Sequence, residues 1–261
     1  MQQDTEWFVR SAAAERLLRL WGQSGLCAPV TLLAEPEGGG AGALELARAL
    51  AGQRQRCGNA DTAPRRCFLA LRYPCGGSGD ERDKFYESPT VYAEICNRYT
   101  GTFCIDLQAW RDSWRTPEAR RLCNFIRAER RTMGFVLLLR GRAACAALAA
   151  VLQDTGCECL DLGYLPPARY GGYLRAQLAG AGCRVQPQAE APLQKLLTEL
   201  CAQDSFSGLY TLDTLVRELE YAAAEPARAD SAEKAIGEAE LAAVREKMRG
   251  GGAGGERRIG F

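Results

Sequence analysis

Gly38, Gly39, Gly40, Ala41, Gly42, Ala43 and Leu44 hold the chain's clearest chemical pattern, inside the stretch VTLLAEPEGGGAGALELARALA from Val30 to Ala51. The pattern is a short apolar run, a glycine-rich turn, and a helix whose apolar side is Leu44, Leu46, Ala47 and Leu50. Backbone N–H groups at such a turn, with a helix N-terminus behind them, form a cradle for a phosphate. The full signature, G-x-x-x-x-G-K-[ST], adds a lysine on the phosphate oxygens and a hydroxyl on Mg²⁺. Aligned on the helix, those positions are Ala43 and Leu44; aligned on the strand, they are Gly40 and Ala41. The scaffold of an anion site is present without its side chains. A tight strand–helix turn that binds nothing accounts for it equally well.

The remaining composition limits what restores that chemistry. The only lysines are Lys84, Lys195, Lys234 and Lys247, all distant in sequence from the turn. Histidine is absent, which excludes imidazole bases, His-containing triads and His-ligated zinc. A formal net charge of +1 over 261 residues gives no general attraction for nucleic acid, and no recognition motif is present, so a nucleic-acid partner is not expected. Twelve cysteines lie outside any C-x-x-C spacing, and several, such as Cys104, Cys123 and Cys145, sit in apolar segments. They read as reduced thiols acting as small hydrophobes. Cys57, Cys67 and Cys75 are the best metal candidates, without the spacing of a metal site, so no metal is expected. MQQDTEWFVR is no signal peptide and no apolar run reaches membrane-spanning length, so a cytoplasmic chain without a membrane partner is expected.

Five apolar runs alternate with helical patterns. Strands are expected at Val30 onward, Cys67–Tyr73, Thr102–Leu107, Phe135–Leu139 and Cys157–Leu162. Helices are expected over Thr5–Trp21 (with Trp7, Leu17, Leu18 and Trp21 inward), after the glycine turn, from Ser88 to about Tyr99, from about Pro117 to Arg131, and over Ala143–Gln153. This alternation predicts an α/β fold, a five-stranded parallel sheet flanked by helices. From Tyr164-Leu165-Pro166-Pro167 onward only helical periodicity is evident, with Thr211 as an N-cap for the helix Thr211–Ala223. Residues 1–165 therefore form the sheet domain, 166–249 a small helical domain, and 250–261 a flexible glycine-rich tail.

A P-loop sheet domain followed by a small helical lid resembles the AAA+ superfamily of ATPases. Gly40, Gly42 and the run Glu45–Ala51 are similar to a family P-loop and its helix. TFCIDL resembles the acidic strand end, which makes Asp106 the Mg²⁺-associated aspartate. FSGLYTLDTLVREL resembles the lid's sensing helix, and the ending IGEAEL then RRIGF resembles Clp-type unfoldases and their relatives. The resemblance implies ATP or ADP with Mg²⁺ as ligand and other subunits, of the same or another chain, as partners.

Apart from Asp106, the departures from that family fall at its charged positions. Leu107, followed by Gln108, stands where the water-activating glutamate is expected. The polar residue after the fourth strand falls to Arg140 or Arg142, and the lid arginine to Tyr210 or Thr211. Arg131 lies in an arginine-rich neighbourhood where the resemblance places a finger toward an adjacent subunit; a solvated basic helix face is the plainer reading. Phosphoryl transfer rests on positioning and charge neutralisation, so these losses imply a non-hydrolysing regulatory or assembly subunit, binding nucleotide weakly at most. The alternatives are an active ATPase with Arg48 or Arg140 in the lysine's place, and a P-loop-derived module with no ligand.

Overall fold

The computed structural model describes residues 12–25, 27–57, 68–72, 101–108, 110, 114–227 and 234–250. Two compact units divide at Tyr164 and Leu165. In the first, the elements are α1 (Ala12–Ser24), β1 (Val30–Glu35), α2 (Ala43–Cys57), β2 (Phe68–Arg72), β3 (Thr102–Asp106), α3 (Pro117–Glu129), β4 (Gly134–Arg140), α4 (Arg142–Val151) and β5 (Glu158–Asp161).

Every residue of β1 is buried, and so is all of β4 except its last residue. Strands apolar on both sides need cover on both faces, which a parallel sheet between helices supplies. The strand order is β2-β3-β4-β1-β5, and every pairing is parallel. Val30, Leu32 and Ala34 join Phe135, Leu137 and Leu139 in one core with Leu122 and Ile126 of α3 and Leu148 of α4. The alternating residues face the other way, where α2 packs on β1, β3 and β4. Thr116 caps α3, its Oγ1 accepting the Ala119 N–H at 3.3 Å, with Pro117 at the first helical position.

The chain leaves β1 through α2 toward β2 at one edge, and leaves β4 through α4 toward β5 at the other. Adjacent strands whose connections diverge open a crevice at their carboxyl ends, the usual ligand position in open α/β sheets. Here that crevice lies between β1 and β4, where Glu35 and Arg140 are in register. Arg54 of α2 pins the opposite edge. Its guanidinium lies 5.5 Å from the Trp21 ring centre, donates to the Ala28 carbonyl, and fills the space beside Gly134.

The second unit contains α5 (Pro167–Gly180), β6 (Cys183–Val185), α6 (Glu190–Cys201), α7 (Leu209–Ala227), β7 (Lys234–Ile236) and α8 (Glu238–Gly250). Its core gathers Tyr170, Leu174, Leu178, Leu197, Leu212 and Leu215, all fully or almost fully buried. The expectation of a purely helical unit is corrected here: β6 and β7 pair in parallel, Cys183 with Lys234 and Val185 with Ile236. Three residues a strand are too few to display a period of two in sequence. Thr211 is not the N-cap of α7, which begins at Leu209; its Oγ1 instead accepts the Ser207 N–H at 2.9 Å. Trp7, the helix expected at 88–99, and the tail from 251 lie outside the described residues. Among the described residues no helix is long and apolar enough to cross a membrane.

Candidate functional site

The glycine-rich turn closes on itself through the Gly39 N–H, which donates to the Pro36 carbonyl at 2.8 Å. Gly39, Gly40 and Gly42 have φ of 71°, 71° and 84°, a left-handed backbone that side chains disfavour. Their spacing therefore serves the turn whether or not anything binds. Gly38 is exposed, Gly39, Gly40, Gly42 and Ala43 are buried, and Ala41 and Leu44 are intermediate.

What the N-terminus of α2 faces is the side chain of Glu35. Its Oε1 accepts the Ala43 N–H at 2.9 Å, and the residue is only 3 % exposed. A carboxylate at a helix N-terminus is favoured by the helix dipole and by the free amides there. Glu35 Oε2 accepts the Gln108 Nε2 amide at 2.8 Å, and Gln108 Oε1 in turn accepts Arg140 Nη2 at 3.2 Å. A neutral amide thus bridges carboxylate and guanidinium, each of its ends matched to the partner it meets. Among the described residues the buried Arg140 Nε has no hydrogen-bond partner. Tyr164 completes the group electrostatically. Burial and the negative Glu35 raise its phenol above the ordinary value, with Arg140 acting in the opposite direction.

These contacts decide how the chain's residues suit a nucleotide. A phosphate approaching Ala43 meets a carboxylate already holding that amide, and like charges at contact distance repel. No guanidinium among the described residues is hydrogen-bonded to residues 38–44: Arg140 reaches Gln108, and Arg48 is exposed on α2. Asp106 Oδ1 accepts the Gln108 N–H at 3.0 Å, a local turn bond that holds the residue bridging Glu35 and Arg140. The arrangement does not fit a Mg²⁺–nucleotide.

Other sequence-chosen residues lie apart. Arg142, the first residue of α4, points to solvent and sits 4.0 Å from Asp161. Arg131 is exposed in the turn before β4, about 20 Å from Arg140 at the usual strand rise over seven residues. Tyr210 is exposed on α7 of the second unit. In the basic helix α3, Arg127 bonds Asp154 at 3.0 Å and also caps the Val151 carbonyl, so that arginine is structural rather than merely solvated. Cys67 and Cys75 lie outside the described residues, as does the Cys57 side chain; no group of three metal-ligating side chains forms among the residues described.

The residues missed from sequence are Glu35, Gln108 and a pair of tryptophans. An acid ending an otherwise apolar strand just before a glycine turn was a readable signal for Glu35. Trp110 and Trp114 stack with ring centres 5.1 Å apart and planes 6° from parallel. They wall a cleft of about 850 Å³ whose floor is the alanine face of α4 and whose charged lining includes Arg140 and Glu37. The cleft therefore shares Arg140 with the crevice. Comparison of the sequence with protein-family models and with curated proteins returns no match.

Proposed function

We propose that this chain is a degenerate member of the AAA+-like P-loop ATPases that does not hydrolyse nucleotide and acts as a regulatory or assembly subunit. The observation that carries the reading is the Glu35 carboxylate on the Ala43 N–H. It supplies from within the chain the anion that a P-loop would take from ATP. Loss of the lysine, the hydroxyl and the catalytic glutamate is then matched by an internal replacement for the phosphate. Gln108 and Arg140 stabilise that replacement in place of turning over a ligand.

A role through partners is supported by α7, where Tyr210 and Tyr221 are 55 % and 66 % exposed. Eleven residues apart, they share one stripe of the helix at 3.6 residues per turn. The alternative, an active ATPase using Arg140 for the missing lysine, draws on its unpartnered Nε but has to break the Gln108 bridge. Phosphate release by the full chain with Mg²⁺ and ATP distinguishes the two. Release at the spontaneous background rate is expected; release above background that disappears in Arg140→Ala overturns the proposal.

A further inference from the structure

Helix α4 lies along the edge strand β5 as a three-rung ladder. In the strand, residues 159 and 161 point to one face, Cys157 just before it contacts α4, and Cys159 is in register with Leu32 of the core beneath α4. On the helix, positions 142, 145 and 149 share one side at spacings of three and four. Contacts mark the outer rungs: the solvent-exposed Arg142 guanidinium is 4.0 Å from Asp161, and the Cys157 thiol donates to the Ala149 carbonyl at 3.9 Å. The seven helical steps from 142 to 149 rise about 10.5 Å and the four extended steps from 157 to 161 about 13 Å, so the rungs run side by side. The middle rung is Cys145 opposite Cys159, with the two thiols as electrostatic neighbours and Cys157 also beside Cys159. Cys145 is buried and Cys159 is exposed.

We infer that Cys145 and Cys159 form a dithiol modification site, at which hydrogen peroxide closes an intramolecular disulfide between α4 and β5. Exposure sets the order of events, because the oxidant reaches Cys159 first. The Cys159 thiolate attacks one peroxide oxygen, the O–O bond breaks, and hydroxide leaves a sulfenic acid. The Cys145 sulfur then attacks the Cys159 sulfur; the S–O bond breaks, and the Cys145 proton departs with that oxygen as water. Two thiols are oxidised, one peroxide is reduced, and two waters form. Burial, with smaller contributions from the Cys159 thiol and Asp161, pushes the Cys145 thiol up to about 12, which suits it to resolve rather than to react first. The link ties α4, which starts two residues after Arg140, to the sheet edge. It acts independently of the nucleotide reading.

The test uses the full-length chain, reduced and then treated with a small excess of hydrogen peroxide, blocked with N-ethylmaleimide and digested without reductant. A Cys145–Cys159 linked peptide is expected, with both thiols lost in equal amount and both restored by dithiothreitol. Cys159→Ser abolishes the link and leaves Cys145 unoxidised. Cys145→Ala leaves Cys159 as a sulfenic acid that dimedone traps. Linkage of Cys159 to Cys157, over-oxidation of Cys159 beside a free Cys145, or no loss of either thiol overturns the assignment. The wild-type map decides alone if Cys145→Ala fails a circular-dichroism check of folding.

Discussion

Glu35 and Arg140 end adjacent parallel strands in register, and their charges meet through the amide of Gln108. That bridge occupies the crevice where an open α/β sheet otherwise holds a ligand. The glycine-rich turn and the start of α2 are thereby fixed around a carboxylate of their own chain.

Gln108→Leu should remove both bonds of the bridge and leave one Glu35 oxygen and one Arg140 nitrogen without their present partner. An unsatisfied buried polar group costs about 1–3 kcal/mol. Urea unfolding should show a loss of that order, and the same substitution at an exposed glutamine, such as Gln153, should show almost none.

Gly134→Ala should be destabilising for a reason local to Arg54. A Cβ at Gly134 would collide with the Arg54 guanidinium, which is held by Ala28 and Trp21. A loss of about 1–3 kcal/mol is expected, as for overpacking in general. In an Arg54→Ala background the further cost of Gly134→Ala should largely vanish, which a double-mutant cycle of unfolding free energies reads directly.

Alkaline stability should depend on Cys104. Burial, and secondarily Asp106, pushes its thiol up to about 12, against the smaller opposing effect of Arg48. The folded pKa is thus above the unfolded one. The stability linked to this group is fully present below the unfolded thiol's pKa and is lost as pH rises toward about 12. Cys104→Ala should flatten the fall in unfolding free energy across that window, even though the variant begins from a lower stability.

The sequence disclosed elements whose signal is long. The continuous apolar runs of β1 and β4 appear where expected, and Pro117 marks the start of α3. Parallel strands between helices follow from those runs, because both faces of such strands need cover. Local patterns failed where pairing is short or distant. β6 and β7 have three residues each, and their partners are some fifty residues apart. Glu35 and Gln108 are separated by 73 positions, so nothing local signals that one accepts the other's amide. The charges sought for a phosphate were cations, whereas the side chain at the turn is an anion. Arg131 and Arg140 illustrate the remaining limit: they are nine residues apart in sequence, yet β4 places them at its opposite ends.

The most direct test is calorimetric titration of the wild-type chain and of Glu35→Ala with ATP and Mg²⁺, both checked for native circular dichroism. Removal of the carboxylate should free the Ala43 N–H and lift the repulsion of an incoming phosphate. The wild type should give no saturable heat below about 1 mM, the equivalent of about 4 kcal/mol of binding free energy. Glu35→Ala should bind measurably more tightly than the wild type. Saturable micromolar binding by the wild type, weakened by Glu35→Ala, would contradict the account.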